Sequence, residues 1–356
     1  MTALPFDKKK EFDVAGNYNP FPYAYGMGNM VFKKYNSPIT PKENFFRMMN
    51  HEPIEWMPDM MTDFNFIQPM IMPDAYARAH GGKDWFGIDW KFEPMVGAAM
   101  VAPKTRRLSS IENWEKELIF PDLNAVNWEK DYNENYAAYM DADRATCFVI
   151  VNGLFERTAD LTSFEDTFCY LLEEPEILEE FYNKLTDWHI ELMTVAKKYY
   201  HADLITFHDD MGSQNAPFMS RNTFKEIMLP HYSKLTQAAH AMGLLVNFHS
   251  CGNVGSMIDL FCECGFDMWE GQNNCTDTFA LAQKYSDKIA FLNAFKAMPD
   301  MNDEDYYNKI KELITLYAPT GRIMFWLQDQ RTEKRSFSDD EAIYCLSREF
   351  LANGKF

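Results

Sequence analysis

His249 and Cys251 stand two positions apart in the segment that runs from Val246 to Asn253. Alternate residues of a β-strand face the same side, so both side chains should project together, about 6–7 Å apart along the strand. An imidazole nitrogen and a thiolate are good zinc ligands, and Gly252 lets the backbone turn away after them. The pair alone fits either a zinc site or a hydrogen-bonded histidine beside an inert cysteine.

Two carboxylates, Asp209 and Asp210, follow the apolar run Leu204–Phe207. Strand alternation turns one of them inward and the other outward, and we predict that Asp210 is a catalytic acid or a substrate contact. Helix capping or a loop hydrogen bond would serve equally well as an explanation. His208 is a weaker catalytic candidate of the same kind, and Glu156 is predicted to hydrogen-bond a metal ligand or the substrate.

Three amides are hydrogen-bonding candidates for a substrate, or else polar residues of a rim: Gln214, Gln272 and Asn293.

The elements that must position these residues alternate between short apolar runs and amphipathic helical patterns. In chain order they are Cys147–Asn152, Pro175–His201, Leu204–Phe207, Asn222–Met242, Leu244–Phe248, Val254–Cys264, Asp267–Glu270, Thr278–Tyr285, Ile289–Asn293, Glu304–Tyr317, Ile323–Leu327 and Asp340–Leu351. Such alternation predicts an α/β protein with a parallel sheet covered by helices.

A doubly wound open sheet would show the same alternation. No glycine-rich phosphate loop follows a strand here, however, and polar residues accumulate at the end of one strand after another. In a TIM (β/α)8 barrel those ends converge on one mouth, which is where active sites lie. We therefore predict a TIM barrel over residues 41–356.

The first part of the chain is less regular. Residues 1–40 are rich in aromatic residues, glycine and proline, and we predict an N-terminal arm that covers a pocket or contacts a second copy in a homodimer. Thr40 and Pro41, followed by Glu43, form a helix start. The first barrel strand is predicted near Trp56–Phe64.

Composition excludes several classes of partner. The 356 residues carry a formal net charge of −19, which argues against nucleic acid and against an anionic membrane surface. No apolar run resembles a signal peptide or a membrane span. Seven cysteines at irregular spacing fit reduced thiols, so we expect a cytoplasmic protein.

Over roughly residues 41–356 the sequence resembles the uroporphyrinogen decarboxylase-like superfamily, and in particular its zinc-dependent cobalamin methyltransferases. The resemblance rests on His249-Ser250-Cys251-Gly252-Asn253 together with four further segments. These are Arg47–Pro53, Gly153–Glu156, Asp209–Gln214 and the stretch from Asn253 to Asp267. It implies that His249 and Cys251 bind zinc.

The decarboxylases of that superfamily carry an arginine-rich N-terminal segment that holds the carboxylates of a porphyrinogen. Here Trp56–Phe64 is acidic and apolar, and no lysine or arginine lies between Arg47 and Arg78. A polyanionic substrate would be repelled, so porphyrinogen decarboxylation is not expected.

Thiol-methylating relatives add a third cysteine after the last barrel strand, where this sequence has Gln328. An oxygen ligand in its place makes zinc more electrophilic, which suits an ether oxygen. We predict Glu270 as the third ligand, with Asp329, Gln328 and then Cys275 as alternatives.

The resemblance therefore implies a methyltransferase that takes methyl from a methoxylated aromatic and delivers it to cob(I)alamin. No D-x-H-x-x-G corrinoid motif is present, so cobalamin must arrive on a partner corrinoid protein. Methyl transfer between methylcobalamin and a thiol such as coenzyme M, a decarboxylase-like lyase without metal, and a catalytically silent binding protein are the alternatives.

Overall fold

A computed structural model gives the fold and describes residues 3–18, 21–22, 29–30, 32–95, 97–272, 274–295, 301–327 and 339–356. The strands in these ranges are β1 Val14–Asn17, β2 Phe21–Pro22, β3 Asn29–Met30, β4 Lys33–Tyr35, β5 Phe64–Ile67, β6 Gly82–Lys83, β7 Asp89–Glu93, β8 Ala98–Val101, β9 Ala145–Ile150, β10 Leu204–His208, β11 Leu245–His249, β12 Met268–Gly271, β13 Ala290–Phe295 and β14 Ile323–Leu327.

The α-helices of the same ranges are α1 Lys8–Glu11, α2 Pro41–Met49, α3 Pro73–His80, α4 Trp114–Glu117, α5 Trp128–Asn135, α6 Leu154–Leu161, α7 Phe164–Glu173, α8 Pro175–Tyr200, α9 Arg221–Thr223, α10 Leu229–Ala241, α11 Ile258–Glu263, α12 Thr278–Tyr285, α13 Asp303–Tyr317 and α14 Asp339–Asn353. A π-helical turn, Phe224–Met228, joins α9 to α10.

Seven parallel strands form the central sheet in the order β5, β9, β10, β11, β12, β13, β14. The sheet curls so that a short parallel bridge joins Asp59, just before β5, to Phe325 of β14. Backbone hydrogen bonds from Met60 to Phe325 and from Phe325 to Pro58 reinforce this closure. The predicted TIM-barrel fold is confirmed.

The first strand differs from its prediction. Regular pairing begins at Phe64 and continues to Ile67, whereas the predicted range ended at Phe64. The preceding residues bend, because the buried carboxylate of Asp59 accepts hydrogen bonds from the backbone of Met61 and Thr62. The helix start at Thr40 is as predicted, since its hydroxyl accepts a hydrogen bond from the Glu43 backbone.

Strand alternation separates two apolar layers. One cluster, with Cys147, Met268, Ala290 and Met324, fills the inside of the barrel. A larger cluster lies between the strands and the surrounding helices. Close packing of this interior fixes the strand ends relative to one another, and those strand ends carry the site.

The N-terminal arm is tied to the barrel by buried charges. The Arg348 guanidinium on α14 contacts Glu11 at 2.7 Å and Glu55 at 3.1 Å, and all three residues are buried. Lys34, in strand β4 of the arm, pairs with Asp141 and Asp143 ahead of β9. Whether the arm covers a pocket or contacts a second copy stays a prediction.

Sequence patterns gave no sign of the small antiparallel sheet β6–β7–β8, which packs against α3. Within the described ranges, none of the helices combines the length and the apolar character that crossing a membrane requires.

Stability should depend on pH through His189, which is buried on α8 against Phe207. Burial, helped by Arg157, lowers its pKa from 6.5 to about 3, so the folded protein keeps this imidazole neutral. The unfolded chain takes up a proton below pH 6.5, and stability that is complete above that pH is lost as the pH falls. Between pH 6.5 and 5, urea titrations should show the wild type losing about 2 kcal/mol more than His189→Leu.

The control is Leu192→Ala, another buried position of the same helix, which removes no titratable group and should keep the wild-type slope. Parallel slopes in the wild type and His189→Leu would contradict the assignment.

Candidate metal centre

Two histidines end neighbouring strands at the same level of the barrel. His208 closes β10 and His249 closes β11, and the parallel register pairs them directly. Their imidazole rings stack with centroids 4.2 Å apart and planes 12° from parallel. The carboxyl ends of barrel strands form the mouth, so both rings lie at its wall.

A carboxylate stands behind each ring. Glu156 Oε2 lies 2.7 Å from His208 Nδ1, and Glu270 Oε1 lies 2.7 Å from His249 Nδ1. The second oxygen of Glu270 accepts a hydrogen bond from Asn247, which fixes the carboxylate. Each Nδ1 is thereby engaged, and each Nε2 is the nitrogen directed at the mouth.

Cys251 and Asp210 face those Nε2 atoms. The Cys251 sulfur lies 3.4 Å from His249 Nε2. Asp210 Oδ1 lies 3.6 Å from His249 Nε2 and 3.9 Å from His208 Nε2. One ligand atom from each of His208, Asp210 and His249 lies within 4.8 Å of the others. An imidazole, a thiol and a carboxylate so arranged form a donor set that Zn²⁺ accepts.

The loops after β10 and β11 are joined by hydrogen bonds from the backbone of one loop to a side chain and the backbone of the other. Asp210 Oδ1 accepts a hydrogen bond of 2.7 Å from the Cys251 amide, and the Asn253 amide donates to the carbonyl of Ser213. Gly252 has φ +87°, and a Cβ there would overlap the backbone of Gly212. This contact requires glycine, and it holds Asp210 beside Cys251.

Glu156 is held by the first turn of α6. Asp209 is fully buried and accepts hydrogen bonds from the amides of Phe155 and Glu156, while the Tyr232 hydroxyl donates to it at 2.6 Å. Gly153 has no side chain, so this carboxylate from another strand caps the helix. Asp209, the residue of the pair that points away from the mouth, therefore holds Glu156 in place from the helix side.

The electrostatics of the wall favour charged pairs. Burial alone would raise the pKa of Glu156, but the adjacent His208 and then Arg78 lower it well below its usual range. Burial likewise opposes charge on His249, yet Glu270, Cys251 and Asp210 together raise its pKa well above 6.5. Burial raises the pKa of the Cys251 thiol, with His249 acting against it.

Residues 84–292 match the family model for uroporphyrinogen decarboxylase (URO-D). The chain belongs to the URO-D family. The matched range contains β9 to β12 and every residue of the two histidine–carboxylate pairs.

Solved structures extend the likeness beyond that range. The URO-D chain aligns with a methyltransferase from Methanosarcina mazei at a TM-score of 0.61 and 13% identity, covering 88% of this chain and 99% of that one. At such identity the likeness establishes a shared fold. Dihydropteroate synthase from Anaplasma phagocytophilum aligns over 40% of this chain and 59% of its own, at 13% identity and a TM-score of 0.28, too low for any inference. A comparison with characterised protein sequences finds no significant match.

The URO-D site brings together most of the residues predicted from sequence. His208, Asp210, His249 and Cys251 meet at the mouth, with Glu156 and Glu270 behind them. Both oxygens of Glu270 are hydrogen-bonded, one to Asn247 and one to His249, so Glu270 stands behind His249, and its role as the third ligand stays a prediction.

The three side-chain amides that were predicted to bind substrate lie in different parts of the structure. Gln272 donates to the Cys251 sulfur at 3.2 Å and accepts from the Gly252 amide, so it borders the centre. Gln214 is exposed in the loop after β10. Asn293 hydrogen-bonds Tyr317 of α13 and so lies in the helix-facing layer rather than in the mouth.

Of the alternative third ligands, Cys275 lies 3.8 Å from Gln272 Oε1, at the rim. Gln328 and Asp329 lie outside the described residues.

Sequence reasoning missed Arg78, whose guanidinium on α3 donates to Glu156 at 3.1 Å and to Asn152. No local pattern marks it, because α3 follows β5, whereas Glu156 follows the neighbouring strand β9, 78 positions later in the chain. Tyr232, on α10, was also missed, because its hydroxyl reaches Asp209 across 23 positions of chain and the π-helical turn before it is visible only in the structure.

Replacing Glu270 by glutamine should weaken zinc binding about 10–100-fold, because the partner that orients His249 loses its charge. Chelator competition with purified protein measures the effect. His249→Ala should abolish binding, and Glu263→Gln, an exposed pair with Lys225, should leave it unchanged. A loss in Glu270→Gln as complete as in His249→Ala would instead support Glu270 as a ligand.

The contact between the two loops has its own test in Gly252→Ala. A matched control is Gly243→Ala, because Gly243 also has positive φ but a Cβ there meets nothing within 4 Å. Both variants should lose about 1 kcal/mol for the left-handed backbone. Gly252→Ala should lose more and should also bind zinc more weakly. Equal thermal stability and equal zinc affinity in the two variants would contradict this.

Proposed function

We propose that this protein is a zinc-dependent methyltransferase that moves a methyl group from an aromatic methyl ether to the cob(I)alamin of a partner corrinoid protein. The observation that carries the proposal is the approach of the Cys251 sulfur to His249 Nε2 at 3.4 Å, at the end of a barrel strand, with Nδ1 engaged by Glu270. The methyltransferase fold shared with the Methanosarcina mazei protein supports it.

The residues fit a zinc ion by their chemistry. His249 has one nitrogen held by a carboxylate and the other directed at a thiol, which is how metal-binding histidines are usually supported. Zinc held by His249 and Cys251 would supply Lewis-acid polarisation of an ether oxygen. The acidic and apolar segment Trp56–Phe64 offers no cation for the carboxylates of a porphyrinogen, which argues against that decarboxylation.

Methyl transfer from an aryl ether breaks the bond between the methyl carbon and oxygen, and the electron pair stays on that oxygen. Cob(I)alamin, as the methyl acceptor, would supply the electron pair for its new bond to the methyl carbon, so the reaction would balance without an oxidant. Negative charge then builds on the phenolate, which must be stabilised in the transition state. His208 and His249 place two imidazoles, each backed by a carboxylate, on the wall where that oxygen would lie.

Oxygen and nitrogen donors predominate around the Cys251 sulfur. The Gln272 amide donates to it at 3.2 Å and His249 Nε2 lies 3.4 Å away, while the contacts of the Cys275 sulfur are with Gln272 and the Thr276 hydroxyl. A centre with one thiol is harder than one with two, which favours an ether over a thiol as the methyl carrier. Wall residues without excess cationic charge also suit a neutral aromatic substrate.

The test is methylation of cob(I)alamin, followed by its absorption spectrum, with separate panels of methoxybenzenes, thiols and methylamines. The wild type with one zinc should use methoxybenzenes, and both His249→Ala and Cys251→Ala should lose at least about 100-fold in rate, as removal of a Lewis acid requires. His240→Gln removes another carboxylate-paired histidine, on α10, and should keep full activity.

Full activity in metal-free protein would contradict the proposal. Activity restricted to thiols would contradict the aryl-ether substrate but would still support a catalytic zinc.

A further inference from the structure

The ends of β10 and β11 carry matching triplets. At the end of one strand stand His208, Asp209 and Asp210, in the same positions as His249, Ser250 and Cys251 at the end of the next. Since the register pairs His208 with His249, Asp210 is the positional counterpart of Cys251. Residues at the first and third positions face the mouth in both triplets, and those at the second position, Asp209 and Ser250, are buried behind it.

We infer that the metal centre is built from both triplets, with His208 and Asp210 completing the ligand set begun by His249 and Cys251. Asp210 Oδ1 lies within 4 Å of both Nε2 atoms, at 3.6 Å and 3.9 Å. The inference rests on the proposed function only in its need for a metal, and it assigns His208 and Asp210 as ligands rather than as the acid and substrate contacts predicted from sequence.

The support behind His208 is the first argument for a ligand role. A metal-binding histidine typically donates its second N–H to a carboxylate, which sets its tautomer and orientation. His249 has this partner in Glu270, and His208 has it in Glu156 at the same distance of 2.7 Å. The Arg78 guanidinium donates to Glu156 at 3.1 Å, and the backbone amide of Glu156 donates to the Asp209 carboxylate.

The placement of Asp210 is the second argument. Its Oδ1 is fixed by the Cys251 amide at 2.7 Å, so the carboxylate and the thiol arrive at the centre as one unit. Two imidazole nitrogens, one thiolate and one carboxylate oxygen are all ligands that zinc accepts. An oxygen thus occupies the position equivalent to Cys251, which makes the centre harder and agrees with an oxygen-bound methyl group in the substrate.

Cobalt substitution and X-ray absorption test the ligand set. In the wild-type protein loaded with zinc, X-ray absorption should find one sulfur and two imidazoles bound to the metal. In the cobalt-loaded protein, His208→Gln and Asp210→Asn should each change the visible ligand-field bands and keep the thiolate-to-cobalt charge-transfer band, which Cys251→Ala should remove. Zinc affinity should fall by more than about 100-fold in His208→Gln and Asp210→Asn, beyond the loss expected for a partner of a ligand.

The controls are His240→Gln, which removes a histidine paired with Asp267 at 2.9 Å, and Asp259→Asn, which removes an exposed carboxylate paired with Arg221. Both should keep the wild-type zinc affinity and cobalt spectrum.

A single bound imidazole in the wild type, or unchanged cobalt spectra and zinc affinity in both His208→Gln and Asp210→Asn, would overturn the inference. So would a protein that binds no zinc. X-ray absorption needs no variant, so a variant that fails to fold leaves the test intact. If the ligand set is found but no methoxybenzene is demethylated, the proposed function fails and this inference stands.

Discussion

The register between β10 and β11 is the constraint on which the centre depends. It brings His208 level with His249, so that the two rings stack and their Nε2 atoms face the same volume. A shift of one residue would turn one ring out to the helix layer, because side chains alternate along a strand. The barrel core fixes this register, and the loop contact at Gly252 extends it past the strand ends.

Buried charge around the centre is arranged in layers. The imidazoles are backed by Glu156 and Glu270, and Glu156 is in turn backed by Arg78 and by the capped first turn of α6. A carboxylate buried without a cationic partner tends to take up a proton: burial and then the charge of Glu156 raise the pKa of Asp209 to about 7, although Tyr232 and two backbone amides donate to it. The pairing keeps Glu156 ionised, so it can hold His208 in one orientation. A preorganised site needs residues behind its functional side chains that are themselves held in place.

Much of the barrel could be predicted from sequence, because its second half alternates regularly. Predicted and observed bounds agree at both ends for α12 and β14. The His249–Cys251 pair was also predictable, since a two-residue spacing determines sidedness in a strand. The contact of Glu270 with His249 Nδ1 was not, because a carboxylate at a strand end can bind a metal or a histidine and the sequence contains no three-dimensional distance. Arg78 and the sheet β6–β8 depend on contacts between distant segments that no local pattern records.

Closure of the barrel links segments that are far apart along the chain. Asp59 meets Phe325, and Glu55 meets Arg348, which is 293 positions later. A chain emerging from the ribosome therefore exposes an unclosed parallel sheet, with unpaired edges, until its last strand and helix have been synthesised. Such long-range pairing makes folding slow and leaves the nascent protein prone to association with other strands. The buried ion pairs of Arg348 should then form late, as the step that seals the domain.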